Sequence, residues 1–154
     1  MTTTLTIEEL EGSTERELGM SSWHTIDQER INMFAEATGD HQWIHVDPEK
    51  AASGPFGTTV AHGYLTLALL PLLLSELISV SDAAMGLNYG TERIRFTAPV
   101  PSGSRVRLHA KLLSSERRGP SLLYHVGVQI EVEGQKKPAL VGEVVYMAAG
   151  APDA

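Results

Sequence analysis

The chain of 154 residues contains no cysteine. Disulfide bonds, thiolate metal sites and cysteine nucleophiles are therefore excluded, and a reducing compartment, the cytoplasm, is the expected location. Basic residues are scarce, because 12 Lys and Arg stand against 19 Asp and Glu and leave a formal net charge of −7. A chain of that sign repels phosphate backbones, so we expect no nucleic-acid partner.

Long apolar runs are also lacking. The most apolar stretch, residues 64–74, is well short of the ~20 residues that a membrane span needs, and Thr66 and Pro71 interrupt it. The first ten residues carry no basic segment followed by an apolar one, so no signal peptide is expected. With 42% hydrophobic and 20% charged residues, the composition is that of one globular domain large enough to bury a core.

Two helices are predicted from apolar residues that recur with helical spacing. The first begins at Asp27, with Thr25 as the alternative N-cap, and stops at Gly39. The second covers residues 62–78, is apolar on nearly all sides and should be kinked at Pro71. The segment between the two helices, residues 40–59, is interrupted by Gly and Pro and predicts neither helix nor strand.

The second half of the chain predicts antiparallel strands, because apolar and polar residues alternate there. The predicted strands are residues 105–112, 124–133 and 140–147, and a hairpin at residues 134–137 connects the last two. In residues 87–96 the apolar phase slips, which predicts a β-bulge near Gly90.

A sheet with one buried face needs apolar cover, and the second helix is the element long and apolar enough to provide it. The predicted fold is therefore α+β, a curved antiparallel sheet wrapped around one long central helix. We expect a single domain over residues 1–154, with an N-terminal arm at residues 1–20 that holds one helical turn at residues 7–10 and a loose tail at residues 150–154.

The densest polar chemistry lies in residues 39–45 (GDHQWIH), just past the end of the first helix. Asp40 and His45 are five positions apart on an irregular segment, so their side chains can converge on one small molecule. A carboxyl group and an imidazole can serve there as acid and base. The structural alternative is that Asp40 caps backbone amides and His45 is a hydrogen-bonded interior histidine, and spacing alone favours that alternative.

Metal binding is a further interpretation of the same residues. His41 and His45 have the i, i+4 spacing of a zinc-binding helix. Gln42 stands where such a motif has Glu, and no third ligand is evident. We therefore predict no metal site.

The start of the second helix, Ala61-His62-Gly63, is a candidate oxyanion-binding site. The first turn of a helix presents unpaired N–H groups, and Gly63 has no side chain to keep a ligand oxygen away. The alternative is an ordinary helix start whose amides are capped by Thr58 or Thr59.

Three runs together carry a resemblance to a known family: residues 34–48 (FAEATGDHQWIHVDP), 54–57 (GPFG) and 61–65 (AHGYL). They resemble the MaoC-like (R)-specific enoyl-CoA hydratases of the hot-dog superfamily, and most closely the nodulation-protein-N-like branch. The resemblance covers residues 23–147 and implies a hot-dog fold, a homodimer, and Asp40 and His45 as the catalytic pair. One departure is that Gln42-Trp43 stands where the family pattern has Asn-Pro, which leaves the loop shape and the substrate range open.

The resemblance implies reversible addition of water to a trans-2-enoyl-CoA, giving an (R)-3-hydroxyacyl-CoA. His45 would act as base and Asp40 as acid on one water, while Gly63, with His62 beside it, would bind the thioester oxygen. The loop residues expected to shape the site are Gln42, Trp43, Phe56 and Gly57. The CoA thioester is the substrate in this reaction, and no cofactor is required.

Two other functions stay open at this level. A thioesterase of the same superfamily would hydrolyse acyl-CoA, and Glu76 is the one carboxylate that the predicted central helix offers. A non-catalytic acyl-CoA-binding subunit, alone or paired with a second hot-dog chain, would bind the thioester without converting it. Acyl chain length, pathway and physiological direction do not follow from the sequence.

Overall fold

The computed structural model describes residues 1–151, in which a six-stranded antiparallel sheet packs against two short consecutive helices. The helices are α1 (Ile7–Glu11), α2 (Gln28–Thr38), α3 (Trp43–Val46), α4 (Pro48–Ala52), α5 (Gly63–Ala68) and α6 (Leu70–Ser75). The strands are β1 (Thr3–Leu5), β2 (Arg16–Met20), β3 (His24–Ile26), β4 (Ile78–Val80), β5 (Met85–Phe96), β6 (Ser104–Arg118), β7 (Ser121–Val132) and β8 (Leu140–Ala149). The predicted α+β class is confirmed.

The large sheet has the strand order β2-β6-β7-β8-β5, and β3 pairs with β6 beside β2. Strands β1 and β4 form a separate parallel pair. The bulge predicted near Gly90 is confirmed, because the register of β5 against β8 shifts between Asn88 and Gly90. A second shift between Glu92 and Arg95 surrounds Arg93, whose φ of 54° is positive.

The central helix differs from the prediction of one long helix over residues 62–78. It consists of α5 and α6 with Leu69 between them, it ends at Ser75, and Ile78 already belongs to β4. Pro71 explains the break, since it has no N–H to donate to the carbonyl of Leu67, four residues earlier, and its ring crowds that carbonyl. The break therefore follows from Pro71, but it is sharper than the predicted kink.

The first helix, α2, begins and ends as predicted. Asp27 is its N-cap, and the Asp27 carboxylate accepts a hydrogen bond of 2.9 Å from the backbone N–H of Arg30. Gly39 ends it in the left-handed region, with φ of 81°, a conformation that glycine adopts without steric cost.

The segment at residues 40–59 was predicted to hold no helix, and this is wrong for α3 and α4. Asp47 caps α4 by accepting a hydrogen bond of 3.0 Å from the Lys50 N–H, and Pro48 is the first residue of that helix. Helices of four and five residues span little more than one turn, so they leave no repeating apolar pattern in the sequence.

The N-terminal segment is more structured than the predicted arm. The helical turn predicted at residues 7–10 is confirmed as α1, which Thr6 and Glu9 close with a capping box. Strands β1 and β2 were not predicted, and Ile7 and Leu10 are buried in the main core. At the other end, residues 152–154 of the predicted loose tail lie outside the described residues.

The core lies between the central helices and the inner face of β6, β7 and β8. Leu73 of α6, Leu108 of β6 and Ile130 of β7 are completely buried there, and each such side chain stabilises the fold by about 1.5–3 kcal/mol. Within residues 1–151, no helix combines the length and the apolar character needed to cross a membrane.

Candidate active site

Asp40 is placed by the end of α2. The left-handed Gly39 turns the chain out of the helix, and Asp40 follows in an exposed position. The Asp40 carboxylate accepts one long hydrogen bond, 3.3 Å, from the backbone N–H of Gln42. Asp40 therefore caps a backbone amide, as the structural alternative expected, while the carboxylate stays open to solvent and to a ligand.

His45 lies in α3 and only 7% of its surface is exposed. Its Nδ1 is 2.7 Å from the carbonyl oxygen of Val60. A carbonyl oxygen only accepts hydrogen bonds, so Nδ1 carries the proton and Nε2 of the neutral ring carries the lone pair. His45 thus presents Nε2 as a proton acceptor.

His62, the residue before α5, contacts both Asp40 and His45. Its ring is buried, Nε2 donates a hydrogen bond of 2.9 Å to the carbonyl oxygen of Asp40, and the ring stacks on that of His45 with centroids 3.9 Å apart. Among the described residues, no donor reaches its buried Nδ1. The sequence assigns His62, together with Gly63, to substrate binding; in the structure the His62 ring contacts Asp40 and His45.

The three side chains converge. One ligand-type atom from each of Asp40, His45 and His62 lies within 4.8 Å of the other two. Two polar atoms that share one water molecule lie about 4 to 5.5 Å apart when each hydrogen bond is about 2.8 Å. The spacing therefore suits a single water, and it would also suit a small cation.

His41, which the i, i+4 spacing paired with His45, is not part of this group. It lies at an exposed position, with Nε2 3.4 Å from the Glu36 carboxylate. His62, which is distant in sequence, takes the third position instead.

A cavity of about 320 Å³ borders the start of α5. Ile44, Phe56, Gly63 and Phe96 are among its lining residues. Gly63 is required here because a Cβ at this position would lie 2.7 Å from the ring of Phe96. The N-cap residue, His62, makes no side-chain capping hydrogen bond.

A second cavity of about 330 Å³ lies between the central helices and strands β5 and β8. Leu67 and Pro71 line it on the helix side, and Val144 and Tyr146 line it on the sheet side. Burial raises the pKa of the Tyr146 hydroxyl to about 12, with a further contribution from Tyr124. Tyr146 is therefore a neutral group in this largely apolar wall at neutral pH.

The Gln42-Trp43 departure has a structural explanation. Trp43 is the first residue of α3, a position at which the backbone N–H has no partner within the helix and at which Pro is tolerated. The Trp43 ring packs against Gly54, where a Cβ would lie 2.9 Å from it, and the Lys50 ammonium lies 4.8 Å from its centroid. Trp43 thus holds α3 to the following segment by packing.

The other predicted loop residues lie nearby. Gln42 is the N-cap of α3 and makes no side-chain capping hydrogen bond. Phe56 is half exposed at the cavity beside α5, and Gly57 has a positive φ of 71°. A residue with a side chain would be strained at Gly57.

Two polar residues beside the site were not predicted. The side-chain amide of Gln28 donates a hydrogen bond of 2.7 Å to the carbonyl oxygen of His45, and the Thr59 hydroxyl donates one of 2.5 Å to the Gln28 amide oxygen. The second contact joins residues 31 positions apart, and no local pattern in the sequence indicates it.

Comparison with known proteins identifies the family. The family model described as MaoC like domain matches residues 9–133. The chain belongs to this family. The MaoC-like chain is 49% identical over 146 residues to the 3-hydroxyacyl-thioester dehydratase Z of Mycobacterium tuberculosis strain H37Rv, covering 94% of this chain and 97% of that protein. It is 47% identical over 138 residues to Nodulation protein N of Rhizobium meliloti, covering 86% and 84%. The family resemblance is confirmed, and the MaoC-like chain is a hydro-lyase.

A solved structure agrees with this assignment at the level of the fold. The unliganded R-hydratase PhaJ1 from Pseudomonas aeruginosa superposes with a TM-score of 0.73, at 23% sequence identity, covering 96% of this chain and 87% of that one. The predicted hot-dog fold is confirmed.

Proposed function

We propose that this MaoC-like protein adds water to a trans-2-enoyl-CoA to give an (R)-3-hydroxyacyl-CoA, and that it catalyses the reverse dehydration. The observation that carries the proposal is the convergence of Asp40, His45 and His62 within 4.8 Å of one another, beside the cavity that Ile44, Val60 and Gly63 help to line. The relatives named as dehydratases and the family assignment support the same reaction class.

His45 is the base in this mechanism. Its Nε2 accepts a proton from the bound water, and the hydroxyl group so formed bonds to C3 of the enoyl group. Asp40, in its protonated form, is the acid that donates a proton to C2, and between these events negative charge collects on the thioester oxygen. The proton that His45 has taken up then passes to Asp40, so both groups return to their starting forms. The net change is the addition of one water molecule, so no cofactor is needed.

The thioester oxygen is assigned to the Gly63 amide. Gly63 starts α5 and lines the cavity beside the site, and the N-cap residue does not cap that helix with its side chain. A backbone N–H aimed at the developing charge stabilises it most strongly in a water-poor site. His62 assists by holding the Asp40 carbonyl and the His45 ring.

The acyl chain is assigned to the cavity between the central helices and strands β5 and β8. Its volume, about 330 Å³, falls at the lower end of the range of small-molecule sites, roughly 300–1,000 Å³. Leu67, Pro71 and Val144 give it apolar walls, which suits a hydrocarbon chain.

The contacts of Glu76 disfavour the thioesterase alternative. Its carboxylate accepts hydrogen bonds from the backbone N–H of Ser22 at 2.7 Å and from the Ser22 hydroxyl at 3.0 Å, and it lies 2.5 Å from His24. Glu76 follows the last residue of α6, at the opposite end of the central helices from Gly63. Its carboxylate links this end to Ser22 and His24, so it is not available to attack a thioester.

The test is to supply purified protein with trans-2-enoyl-CoA substrates of short, medium and long chain. Loss of enoyl absorbance together with an (R)-3-hydroxyacyl product on chiral analysis is the expected result. Free CoA as the product would indicate a thioesterase, and binding without turnover would indicate an acyl-CoA-binding subunit. An (S) product would refute the proposed pose.

The protein is also proposed to be a homodimer that pairs through β5. Within residues 1–151, β5 pairs with β8 alone, is 12 residues long, and exposes Met85, Leu87 and Tyr89 by 57%, 45% and 57%. A long apolar edge strand is a template for pairing with another chain, whereas the opposite edge, β2, is short, charged and bulged.

Light scattering at micromolar concentration tests the dimer. Wild-type protein should have twice the chain mass, and Leu87→Glu combined with Tyr89→Glu should shift it toward the monomer because the charges cannot be buried at the interface. A substitution at the opposite edge, Glu17→Gln, is the control and should leave the mass unchanged. A monomeric wild-type protein would refute this proposal.

A further inference from the structure

The side-chain orientation of His45 depends on the carbonyl of Val60. The Nδ1–H of His45 donates to that carbonyl at 2.7 Å, and this hydrogen bond leaves Nε2 as the proton acceptor. Any shift of Val60 relative to α3 therefore moves the imidazole or changes which nitrogen is protonated. The reaction is sensitive to such a shift, because a displacement of about 1 Å can cost ~100-fold in rate.

Gln28 and Thr59 add a side-chain link between these two segments, which a backbone hydrogen bond of 3.0 Å from the Val60 N–H to the Ile44 carbonyl also joins. Gln28, in the first turn of α2, donates its amide N–H to the His45 carbonyl at 2.7 Å and accepts from the Thr59 hydroxyl at 2.5 Å. Thr59 immediately precedes Val60. The contacts form a closed ring, in which His45 is held by its carbonyl through Gln28 and by its imidazole through Val60.

The chemistry of each position is specific. The Gln28 side chain acts as donor and acceptor at once, which Glu cannot do as a carboxylate and Met cannot do at all. Thr59 is 2% exposed, so its hydroxyl has no access to a substrate. Thr59 therefore does not contact the reacting atoms. The side-chain amide of the half-buried Gln28 is engaged by Asn32, His45 and Thr59, so we place the effect of both residues on His45.

We infer that Gln28 and Thr59 are positioning residues, which set the orientation and the tautomer of His45. The inference rests on the proposed function, because it assumes that His45 is the base. It adds two residues from different elements, α2 and the segment before α5, to the machinery of the site.

The isosteric variant Thr59→Val tests the inference against its matched control, Thr59→Ser. Thr59→Val removes the hydroxyl and should lower kcat by about 10- to 100-fold while KM changes less than about threefold, since geometry at the base is lost and substrate contacts are not. Thr59→Ser keeps the hydroxyl and should stay within about threefold of wild type. An equal loss of kcat in both variants would overturn the inference.

Gln28→Glu gives a second and independent variant, at a half-buried position where folding is less at risk than at Thr59. It should lower kcat as Thr59→Val does. The double variant should have a kcat only slightly below that of the slower single variant, because both substitutions break the same closed set of hydrogen bonds. Wild-type kcat in folded Gln28→Glu would contradict the inference.

A spectroscopic measurement separates positioning from a general loss of stability. With ¹⁵N-labelled histidine, the His45 signals of the wild type should report a protonated Nδ1 and an unprotonated Nε2 at neutral pH. Thr59→Val and Gln28→Glu should mix the two tautomers, and unchanged signals would overturn the inference.

Measuring the wild type and Asp40→Asn beside these variants distinguishes a failure of the proposed function from a failure of the positioning role. If the wild type hydrates no enoyl-CoA, the proposed function fails, and if Asp40→Asn is as active as wild type, the acid role of Asp40 fails. If Asp40→Asn is inactive while Thr59→Val and Gln28→Glu are fully active, the function stands and the positioning role alone is refuted.

Discussion

Replacing Asp40 with Asn is the cleanest perturbation of the proposed acid–base pair. The carboxylate is exposed, and its hydrogen bond within the protein comes from the Gln42 N–H, which the amide oxygen of Asn can accept equally well. The free energy of unfolding should therefore change by less than about 0.5 kcal/mol. Any large loss of activity then reflects chemistry, because Asn cannot donate the proton that C2 requires.

The expected size of that loss can be stated. A general acid or base contributes ~10²–10⁴ in rate, and a factor of ~10³ corresponds to about 4 kcal/mol of transition-state stabilisation. Independent action of Asp40 and His45 would give a double mutant slower by ~10⁶. Because the two groups lie within 4.8 Å of each other and act on one water, the double mutant should instead fall within about tenfold of the worse single one.

His45→Ala differs in its effect on stability. It leaves the Val60 carbonyl without its donor and removes the ring stacked on His62, so we expect a loss of about 1–3 kcal/mol in the free energy of unfolding together with the loss of rate.

The assay follows the enoyl absorbance and the thermal midpoint of the wild type, both single variants and the double variant. Activity within about threefold of wild type in folded Asp40→Asn would refute the mechanism. A structural role for both residues would instead lower the melting temperatures and leave the rate per folded molecule unchanged.

Three further predictions concern stability. The backbone N–H of Ser22 holds the pKa of the Glu76 carboxyl below its usual value. Because the folded pKa lies below the unfolded one, the ionised carboxylate stabilises the folded protein at any pH above the unfolded pKa. This contribution to the free energy of unfolding is lost as the pH falls through the folded pKa. Glu76→Gln should thus be less stable than wild type by about 1 kcal/mol in urea near pH 7. The difference should shrink as the pH falls below the usual range of carboxyl pKa values, and a difference that does not change with pH would contradict this explanation. Gly54→Ala should cost about 1–3 kcal/mol because its Cβ would lie 2.9 Å from Trp43, and Trp43→Leu in the same chain should recover part of that loss in thermal unfolding. Leu73→Ala should cost about 2–5 kcal/mol in urea unfolding because its side chain is fully buried, and a loss below 1 kcal/mol would contradict the assigned core.

The sequence by itself determined the features that depend on neighbouring residues. Asp27 and Gly39 bound α2 because an N-cap and a left-handed C-cap act within one turn of the chain. The bulge near Gly90 was predicted because apolar residues in a strand alternate with a period of two, so an extra residue shifts the pattern in the sequence. The family motif placed Asp40 and His45 together because both lie on one short segment.

Contacts between distant residues were decided by the tertiary structure. His62 meets Asp40 across 22 positions and Gln28 meets His45 across 17, and the sequence carries no periodic signal for such pairs. The division of the central helix was predicted only in part. Pro71 indicated a kink, but whether the helix would bend or break into two depended on how the two halves pack against the sheet. Local rules fix caps, turns and strand faces, whereas the partners of a buried polar group are fixed by which elements the folded core brings into contact.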